Sequence, residues 1–424
     1  MRPPAQPDVR QGNVRNQVIL ALLALAMALA FFDRMNFSVA LADPGFLRAF
    51  HLDDQDRGVL NSAFYWSYAL LQMPAGWLVD RYGVRWPFAL GFLCWSAATA
   101  ATAISTSVAT LIALRILLGI GESVLSPVMM RWIRLNMPES RSGLAVGIVM
   151  LGSKLGPALG APLSAWLLVR WGWPQMFLIL GMIPILWVVP WLLLVRDRST
   201  PLAPSQPGQN GGFANISVAA VLVASFCYQY FIYFCLTWMP AYVVEAFHLD
   251  ITGMGWYSMV AFGGTAVIAV AAGYAADRLI ARGQNALRVR ASFAIAGLAL
   301  ASTEIASVFV THRSAALFIT AFALSAAGLV TPNHWALGQL LVPARFSGKM
   351  AGMQACAAGL PGIAAPLFTA WLKSISGGYA LPVITVAVIL VIGMLCYLVV
   401  LRSAGSRISD ADSPGPERSG PAQQ

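Results

Sequence analysis

The sequence predicts an all-α integral membrane protein with twelve transmembrane helices in two six-helix bundles related by a pseudo-twofold axis. Composition, repeated long apolar runs and an internal duplication predict it. Hydrophobic residues make up 58% of the 424 residues, charged residues 10%, and mean hydropathy is +0.70, whereas soluble domains average about 25% charged residues. Backbone groups in lipid are satisfied only in helices or closed barrels, and the short alternating strands of a barrel do not occur.

The apolar runs set the topology. Because twelve is an even number, both termini lie on one side of the membrane. Of the 27 Lys and Arg residues, nineteen fall on that side and five on the other, so the positive-inside rule predicts cytoplasmic termini and a multi-pass protein of the plasma membrane. The predicted spans are 17–42, 58–79, 87–105, 109–131, 143–168, 174–195, 215–243, 253–276, 291–310, 314–341, 348–372 and 380–401.

Two other interpretations of the sequence are weaker, one of its first apolar run and one of its net charge. The first run contains ALLALAMALA and resembles a signal peptide, but its cleavage would leave eleven spans and move the C-terminus to the side that its charge disfavours. A net charge of +10 also suits a nucleic-acid partner. The basic residues are instead spread over short loops on one side, so topology explains them and we expect no nucleic-acid binding.

A polar segment divides the spans into two sets of six. Residues 196–214 read RDRSTPLAPSQPGQNGGFA, a composition typical of a linker. The predicted bundles are therefore 17–195 and 215–402, and the tails 1–16 and 403–424 are predicted to be disordered. GWLVDR at Gly76 recurs as GYAADR at Gly273, and APLSAWL at Ala161 recurs as APLFTAWL at Ala365. Such duplication is typical of transporters that move two homologous bundles about a central site.

The segment Gly76 to Trp86, GWLVDRYGVRW, follows the second span. Its first glycine permits close helix approach, the acid can accept from a facing helix N-terminus, and the second glycine permits a tight turn. A plain positive-inside loop would explain the arginines but neither the acid between glycines nor the second copy. The predicted gating residues are Gly76, Asp80, Arg81, Gly83 and Arg85, with Gly273, Asp277 and Arg278 in the second copy.

This segment resembles the loop signature of the major facilitator superfamily, and the likeness extends over nearly the whole chain through the six-plus-six layout. Within that superfamily, FFDRMNFSVA, RILLGIGES and GWPQMFLILG are similar to the anion:cation symporter branch. The resemblance implies the major facilitator fold, with Asp33 and Glu122 as a proton-coupling pair and Arg34 and Arg115 as their basic partners. The eleventh span departs from that branch, because alanines replace its usual polar residue.

The intramembrane charges also suggest this role without the resemblance. Arg115 and Glu122 are seven residues apart on one helix face, about 10 Å from each other, while Asp33 and Arg34 point about 100° apart. Charges inside a span are costly and mark transport pathways. Arg binds carboxylates through a planar fork, and moving it onto a substrate would promote protonation of the acid it leaves. A permanent structural salt bridge is the alternative.

The remaining candidates are a further basic residue and a set of neutral groups that would contact the uncharged part of the substrate. Lys154 lies mid-membrane and is predicted as a second anion ligand, the alternative being a structural partner for a carboxylate. The C-terminal half has no embedded basic residue, only aromatic and neutral polar groups, which are more often packing residues or interface anchors. The predicted substrate-binding residues are Arg34, Arg115, Lys154, Tyr65, Tyr68, Gln72, Tyr230, Asn333, Trp335 and Gln354.

These expectations describe a proton-coupled importer of a small organic anion, such as a sugar acid or an aromatic or dicarboxylic acid, working by alternating access in the lipid bilayer as a monomer. Neither a GxxxxGK[ST] loop nor an HExxH motif occurs, so we expect no enzyme activity, no cofactor and no metal site. An anion exchanger or exporter would use the same arginine clamp without net proton flux. A transporter-like metabolite receptor is a third possibility, which the short loops disfavour.

Overall fold

The computed structural model describes residues 9–197, 216–343 and 346–411, and every regular element in those ranges is helical. The predicted all-α membrane fold is therefore confirmed. In the first half the helices are α1 (Val9–Ala40), α2 (Pro44–Phe50), α3 (Asp54–Tyr82), α4 (Arg85–Ala101), α5 (Val108–Glu122), α6 (Leu125–Asn136), α7 (Glu139–Met182) and α8 (Val188–Leu194). In the second half they are α9 (Ile216–Thr237), α10 (Met239–Glu245), α11 (Ile251–Ala281), α12 (Ala286–Ala301), α13 (Arg313–Ala326), α14 (Val330–Leu340), α15 (Ser347–Gly359), α16 (Pro361–Ser376) and α17 (Ala380–Ala411).

Ten helical segments in these ranges are long and apolar enough to cross a membrane. One of them, Arg141–Leu194, has 54 residues, about 80 Å at 1.5 Å per residue, which is far more than one bilayer. Gly172 interrupts it with a φ of 82°, a conformation that glycine adopts without strain, so this segment supplies two crossings. Helix α3 has 29 residues and carries charges at both ends, which lowers its hydropathy. The second crossing within Arg141–Leu194 and the crossing by α3 raise the ten segments to the twelve crossings predicted.

The segments predicted as tails and linker lie partly outside the described residues. Helix α1 begins at Val9 and α17 ends at Ala411, so helical backbone extends into both segments that the sequence predicts to be disordered. Adding residues to an existing helix is far easier than starting one, which is why a long span continues into a polar flank. Residues 1–8 and 412–424 lie outside the described residues, as does all of the predicted linker beyond Asp197.

The two halves touch at one end of the molecule and diverge at the other. We call the end with the termini the termini side and the other end, where α3 begins, the far side. A Cβ added at Gly58 of α3 would lie 2.5 Å from the Ala370 Cβ of α16, whereas one added at Gly76 would meet nothing within 4 Å. These glycines are eighteen residues apart, which is five full helical turns, so they share one face of α3. The structure is thus closed on the far side and open toward the termini side.

Small residues also allow the second contact between the halves. A Cβ on Gly255 of α11 would lie 2.8 Å from the Ala165 Cβ and 2.9 Å from the Pro162 Cα of α7. Such close approach of helix backbones needs small residues at the crossing point. The most extensive packing between the first and second halves is therefore that of α3 with α16 and of α7 with α11.

Candidate functional site

A buried ion pair joins α1 and α5 in the middle of the first half. The Nη2 and Nε atoms of Arg34 lie 2.7 and 3.1 Å from Oε2 of Glu122. Both side chains are almost fully buried, and the second carboxylate oxygen of Glu122 has no hydrogen-bond partner. The pair therefore leaves one acceptor unsatisfied, which is costly away from water.

The two other predicted charges lie beside this pair. The Oδ1 atom of Asp33 accepts a hydrogen bond of 3.0 Å from Asn36, and the Nε atom of Arg115 donates to the Leu60 carbonyl at 3.4 Å. Nη1 of Arg115 is buried without a partner. The four side chains are near enough for their charges to interact, so the structure brings together all four residues that the sequence singles out. We call them the charge cluster.

Aromatic rings surround the two arginines. The Cζ atom of Arg34 lies 4.3, 4.6 and 4.8 Å from the ring centroids of Phe31, Phe64 and Tyr68. The Cζ atom of Arg115 lies 4.3 Å from the ring of Phe37. Ring faces attract guanidinium groups most strongly where water is absent. The rings thus replace part of the hydration that the arginines lose.

Tyr65 closes the far side of the charge cluster. Its ring lies 4.8 Å from that of Tyr233 on α9, and a Cβ on Gly362 of α16 would come within 2.4 Å of it. Its hydroxyl is buried and unpartnered. The predicted binding residue Tyr65 is therefore a contact between the halves in this conformation, while Tyr68 and Gln72, further toward the termini side, are only half-buried.

The second half supplies a polar group without net charge. Ser225 lies 3.2 Å from Nδ1 of His334 and donates its own proton to the Val221 carbonyl at 2.8 Å, so Nδ1 carries the hydrogen in the neutral ring. Gln354 donates to the His334 carbonyl at 2.8 Å. Two acceptors, Nε2 of His334 and Oε1 of Gln354, are buried without partners.

Lys154 faces this polar group from the first half. It is half-buried, and no described residue pairs with its ammonium group. Its ammonium group lies within electrostatic range of His334. A cation and two unsatisfied acceptors within range of each other suit a ligand that has both an anionic end and hydrogen-bond donors.

Three other predicted binding residues are placed differently. Trp335 is 38% exposed and Tyr230 is buried. Asn333 is fully buried, donates to the Leu329 carbonyl at 2.9 Å and accepts from Arg290 at 3.4 Å. Its side chain is therefore directed toward the second gating copy rather than toward Lys154, because consecutive residues on a helix point about 100° apart.

The first gating segment has an unexpected acidic partner. Asp80 forms an ion pair with Arg131 of α6, and the backbone N–H groups of Val84 and Arg85 donate instead to Asp197, at 2.7 and 3.1 Å. Gly83 has a φ of 82°, and this turn aims the start of α4 at Asp197. The expectation that Asp80 binds a helix N-terminus is thus not met in this conformation.

The other gating residues hold the termini side of each half. Arg85 donates to the Leu192 carbonyl at 2.8 Å, and Arg290 pairs with Asp277 at 2.8 Å. Arg81 and Arg278 lie over neighbouring aromatic rings. A Cβ on Gly273 would approach only Pro332, at 3.6 Å. The described contacts of both copies are therefore within one half, which leaves the halves free to separate on this side.

A second ion network, which the sequence analysis missed, joins the halves on the far side. Arg57 contacts Glu245 and Asp54 at 2.8 and 3.0 Å, and Lys373 contacts both acids at 2.6 Å. We call these four residues the latch. Burial acts to raise the pKa of Glu245, but Arg57 and Lys373 outweigh it and hold the pKa below its ordinary value. The corresponding sequence signal is charge at the far-side ends of three different spans, which by itself indicates only ordinary loop charge.

Among the described residues, no group of three or more His, Cys, Asp or Glu side chains could hold a metal ion. The site is instead a charge cluster inside the first of two helical halves, and the space between the halves is closed at one end and open at the other. That arrangement is typical of membrane transporters built from two repeated bundles.

Comparison with known proteins gives the family. The sequence model of the family described as "Major Facilitator Superfamily" matches residues 23–366. The chain therefore belongs to this superfamily. It is therefore a membrane transporter and not an enzyme.

Similar proteins cover almost the whole chain. The probable sulfoacetate transporter of Cupriavidus necator is 27% identical over 92% of this chain and 95% of its own length. The D-galactonate transporter of Escherichia coli is 25% identical over 91% of this chain and 96% of its own length. A bacterial homologue of the human lysosomal transporter Spinster, in an inward-facing and unoccupied conformation, superposes with a TM-score of 0.77 at 18% identity, over 92% of this chain and 97% of that one.

Proposed function

We propose that this protein imports a small organic anion together with protons across the plasma membrane by alternating access. The observation that carries the proposal is the Arg34–Glu122 pair, in which a guanidinium that could bind a carboxylate is held by a protein carboxylate. The names of the similar transporters, for sulfoacetate and D-galactonate, support an organic anion as the substrate class.

Coupling follows from competition for one arginine. A substrate carboxylate that binds Arg34 displaces Glu122, because both need the same two N–H donors. The displaced Glu122 is then a buried carboxylate without a counter-ion, so it takes up a proton from water. Asp33 lies beside it and carries the second exchangeable proton. Binding of the anion and uptake of protons thereby occur together.

The rest of the substrate lies between Lys154 and the polar group of the second half. Lys154 has no ion-pair partner among the described residues and binds negative charge. His334 and Gln354 offer unsatisfied acceptors, which fit hydroxyl or amide donors on the substrate body. The first half thus holds the charge and the second half reads the neutral part of the molecule.

The described conformation is the one open toward the termini side. We place that side in the cytoplasm, because most basic residues lie there. Opening to the outside then requires the latch to break and the gating segments to come together. The conformation with the latch closed releases the anion to the cytoplasm.

The test is uptake by purified protein in proteoliposomes under an inward proton gradient. Asp33→Asn and Glu122→Gln are expected to bind substrate but to abolish its accumulation against a concentration gradient. Asp250→Asn is a suitable control, because it makes the same acid-to-amide change at an exposed carboxylate that only caps α11 through Gly253, away from the charge cluster. Wild-type accumulation by both acid variants would contradict the proposal.

Direction and coupling are tested by one further readout. Addition of substrate outside the vesicles is expected to make the external solution more alkaline as protons enter with the anion. If transport instead needs a counter-substrate inside and leaves the external pH unchanged, the protein is an exchanger.

A further inference from the structure

One buried acid lies outside the charge cluster and the latch. Glu304 belongs to the 3₁₀ turn Ser302–Val308, which follows α12, and it is 3% exposed. Among the described residues, none forms an ion pair or a hydrogen bond with its carboxyl group. The proposed transport cycle assigns it no role.

The groups around Glu304 are all neutral. Its titratable neighbours are Cys235 of α9, Tyr242 of α10 and Tyr257 of α11. The Tyr242 hydroxyl is engaged with Ser307 at 3.0 Å, and the Tyr257 hydroxyl with Thr320 and with the Leu317 carbonyl. The tyrosine hydroxyl groups beside Glu304 are therefore hydrogen-bonded to other residues.

Cations do not reach Glu304 from the helices packed against its turn. These helices are α12, α13 and α17. The basic residues of α12, Arg288 and Arg290, lie near its start, at least twelve residues before the turn. The basic residue of α13 is Arg313, which donates to the His248 carbonyl at 3.3 Å. The first titratable residue of α17 is Cys396, sixteen residues beyond the start of the helix, so all its titratable groups lie toward its other end. An isolated buried carboxylate is so unfavourable that the group takes a proton instead.

We propose that Glu304 is a second proton-binding site of this protein, located in the C-terminal half, which holds its proton while the far side is closed and releases it when the far side opens. This site is independent of the proposed coupling by Asp33 and Glu122. Each half of the protein would then contain its own proton-binding carboxyl group.

Contacts connect Glu304 with the latch. Tyr242, beside Glu304, packs its ring 4.9 Å from that of Tyr379, and the Tyr379 hydroxyl donates to Glu245 at 3.1 Å. When the halves separate, Glu245 loses Arg57 and keeps only its contacts within the second half, to Lys373 and Tyr379, so α10 is less firmly fixed beside Glu304. Water then reaches Glu304, and its carboxyl group ionises.

The first experiment detects the proton by infrared spectroscopy of the full-length protein. Asp33→Asn with Glu122→Gln removes the carboxyl groups of the charge cluster, and in this background we expect a protonated-carboxyl C=O band at neutral pH. The band should disappear on adding Glu304→Gln, which is close in shape to the protonated acid. Absence of the band in the background that retains Glu304 overturns the proposal without any Glu304 variant.

The second experiment tests the release. Spin labels replace Gln55 and Ser374, which hydrogen-bond across the far side at 3.0 Å, in a background where the accessible Cys94, Cys356 and Cys396 are changed to Ser. With Glu304 present, the open-to-closed ratio should rise by up to about tenfold per pH unit, the value for one linked proton. Glu304→Gln should remove that one-proton dependence. An identical pH response in both proteins overturns the release.

Discussion

The Nη1 atom of Arg57 lies 2.8 Å from the Oε1 atom of Glu245, and this contact joins the two halves of the molecule on the far side. Lys373 makes the reciprocal contact, from the second half to Asp54 of the first. Each half thus gives one base and one acid to the latch, and separation of the halves breaks two ion pairs at once.

The latch predicts that Glu245→Gln shifts the protein toward the conformation open on the far side. Glu245 is about one-third exposed, so solvent screening limits the loss to about 1 kcal/mol, or about fivefold in population. Distances between labels on α3 and α16 measure the shift. Asp250→Asn neutralises an exposed far-side acid outside the latch, which caps α11 through Gly253, and should leave the distances unchanged. Equal behaviour of the two variants would show that the latch charges do not set the equilibrium.

The latch should not respond to pH between about 5 and 8. The pKa of Glu245 is held below its ordinary value in the closed state, so closure gains its full contribution above about pH 4.3 and loses it as pH falls through the lowered pKa. In a variant that combines Asp33→Asn, Glu122→Gln and Glu304→Gln, the open-to-closed ratio from label distances, recorded from pH 8 downward, should therefore stay constant until strongly acidic pH. A midpoint near neutrality would contradict this assignment.

Close packing at Tyr65 gives a second way to open the far side. A methyl group at Gly362 would lie 2.4 Å from the Tyr65 ring, so Gly362→Ala should separate α16 from α3 there and raise the accessibility of the charge cluster from the far side. Overpacking of this kind costs about 1–3 kcal/mol. Gly352→Ala is the matched control, because its Cβ meets nothing within 4 Å and alanine favours a helix. The rate at which a thiol reagent added from the far side labels Tyr68→Cys measures this accessibility in both variants.

The sequence allowed the charge cluster to be predicted but not the latch. Asp33, Arg34, Arg115 and Glu122 stand out because each is a charge within an apolar run, and intramembrane charges converge where they can be paired. Lys373 lies near the end of its span, where a basic residue is ordinary. Its pairing with Asp54 across more than three hundred residues depends on how the halves are docked, and helix periodicity carries no information about that.

The same limit applies to the polar residues of α14. Asn333 and His334 are neighbours in one span with similar chemistry, and composition favours neither. In the structure Asn333 accepts a hydrogen bond from Arg290, whereas Nε2 of His334 has no partner. The difference depends on how α14 is rotated against α9 and α15, which the sequence does not reveal. Likewise, in the sequence Asp197 is an ordinary polar residue after the sixth span. Only the structure shows that the turn at Gly83 places the start of α4 next to it.

Asp197 should contribute to stability as a helix cap. Its carboxylate accepts from two backbone N–H groups at the start of α4, and loss of an N-cap costs about 0.5–2 kcal/mol. We expect Asp197→Ala to lower the melting temperature of the purified protein and to weaken transport through the adjacent gating segment. Arg196→Ala changes the preceding exposed residue and should do neither. An unchanged melting temperature for Asp197→Ala would mean that the cap is replaced by water.

Lys154 and Arg34 should differ in what their loss does to transport. If Arg34 links anion binding to protonation of Glu122, Arg34→Lys keeps the charge but loses the planar fork and its ring contacts, so maximal accumulation should fall at least about tenfold. Lys154 has no acid beside it, and Lys154→Gln should raise the KM for the anion by about tenfold, the effect of about 1.4 kcal/mol, while protons per anion stay constant. Simultaneous recording of substrate uptake and external pH gives both quantities. A changed proton ratio in Lys154→Gln would instead place this lysine in the coupling machinery, because only a group whose charge is exchanged with an acid alters the number of protons that move.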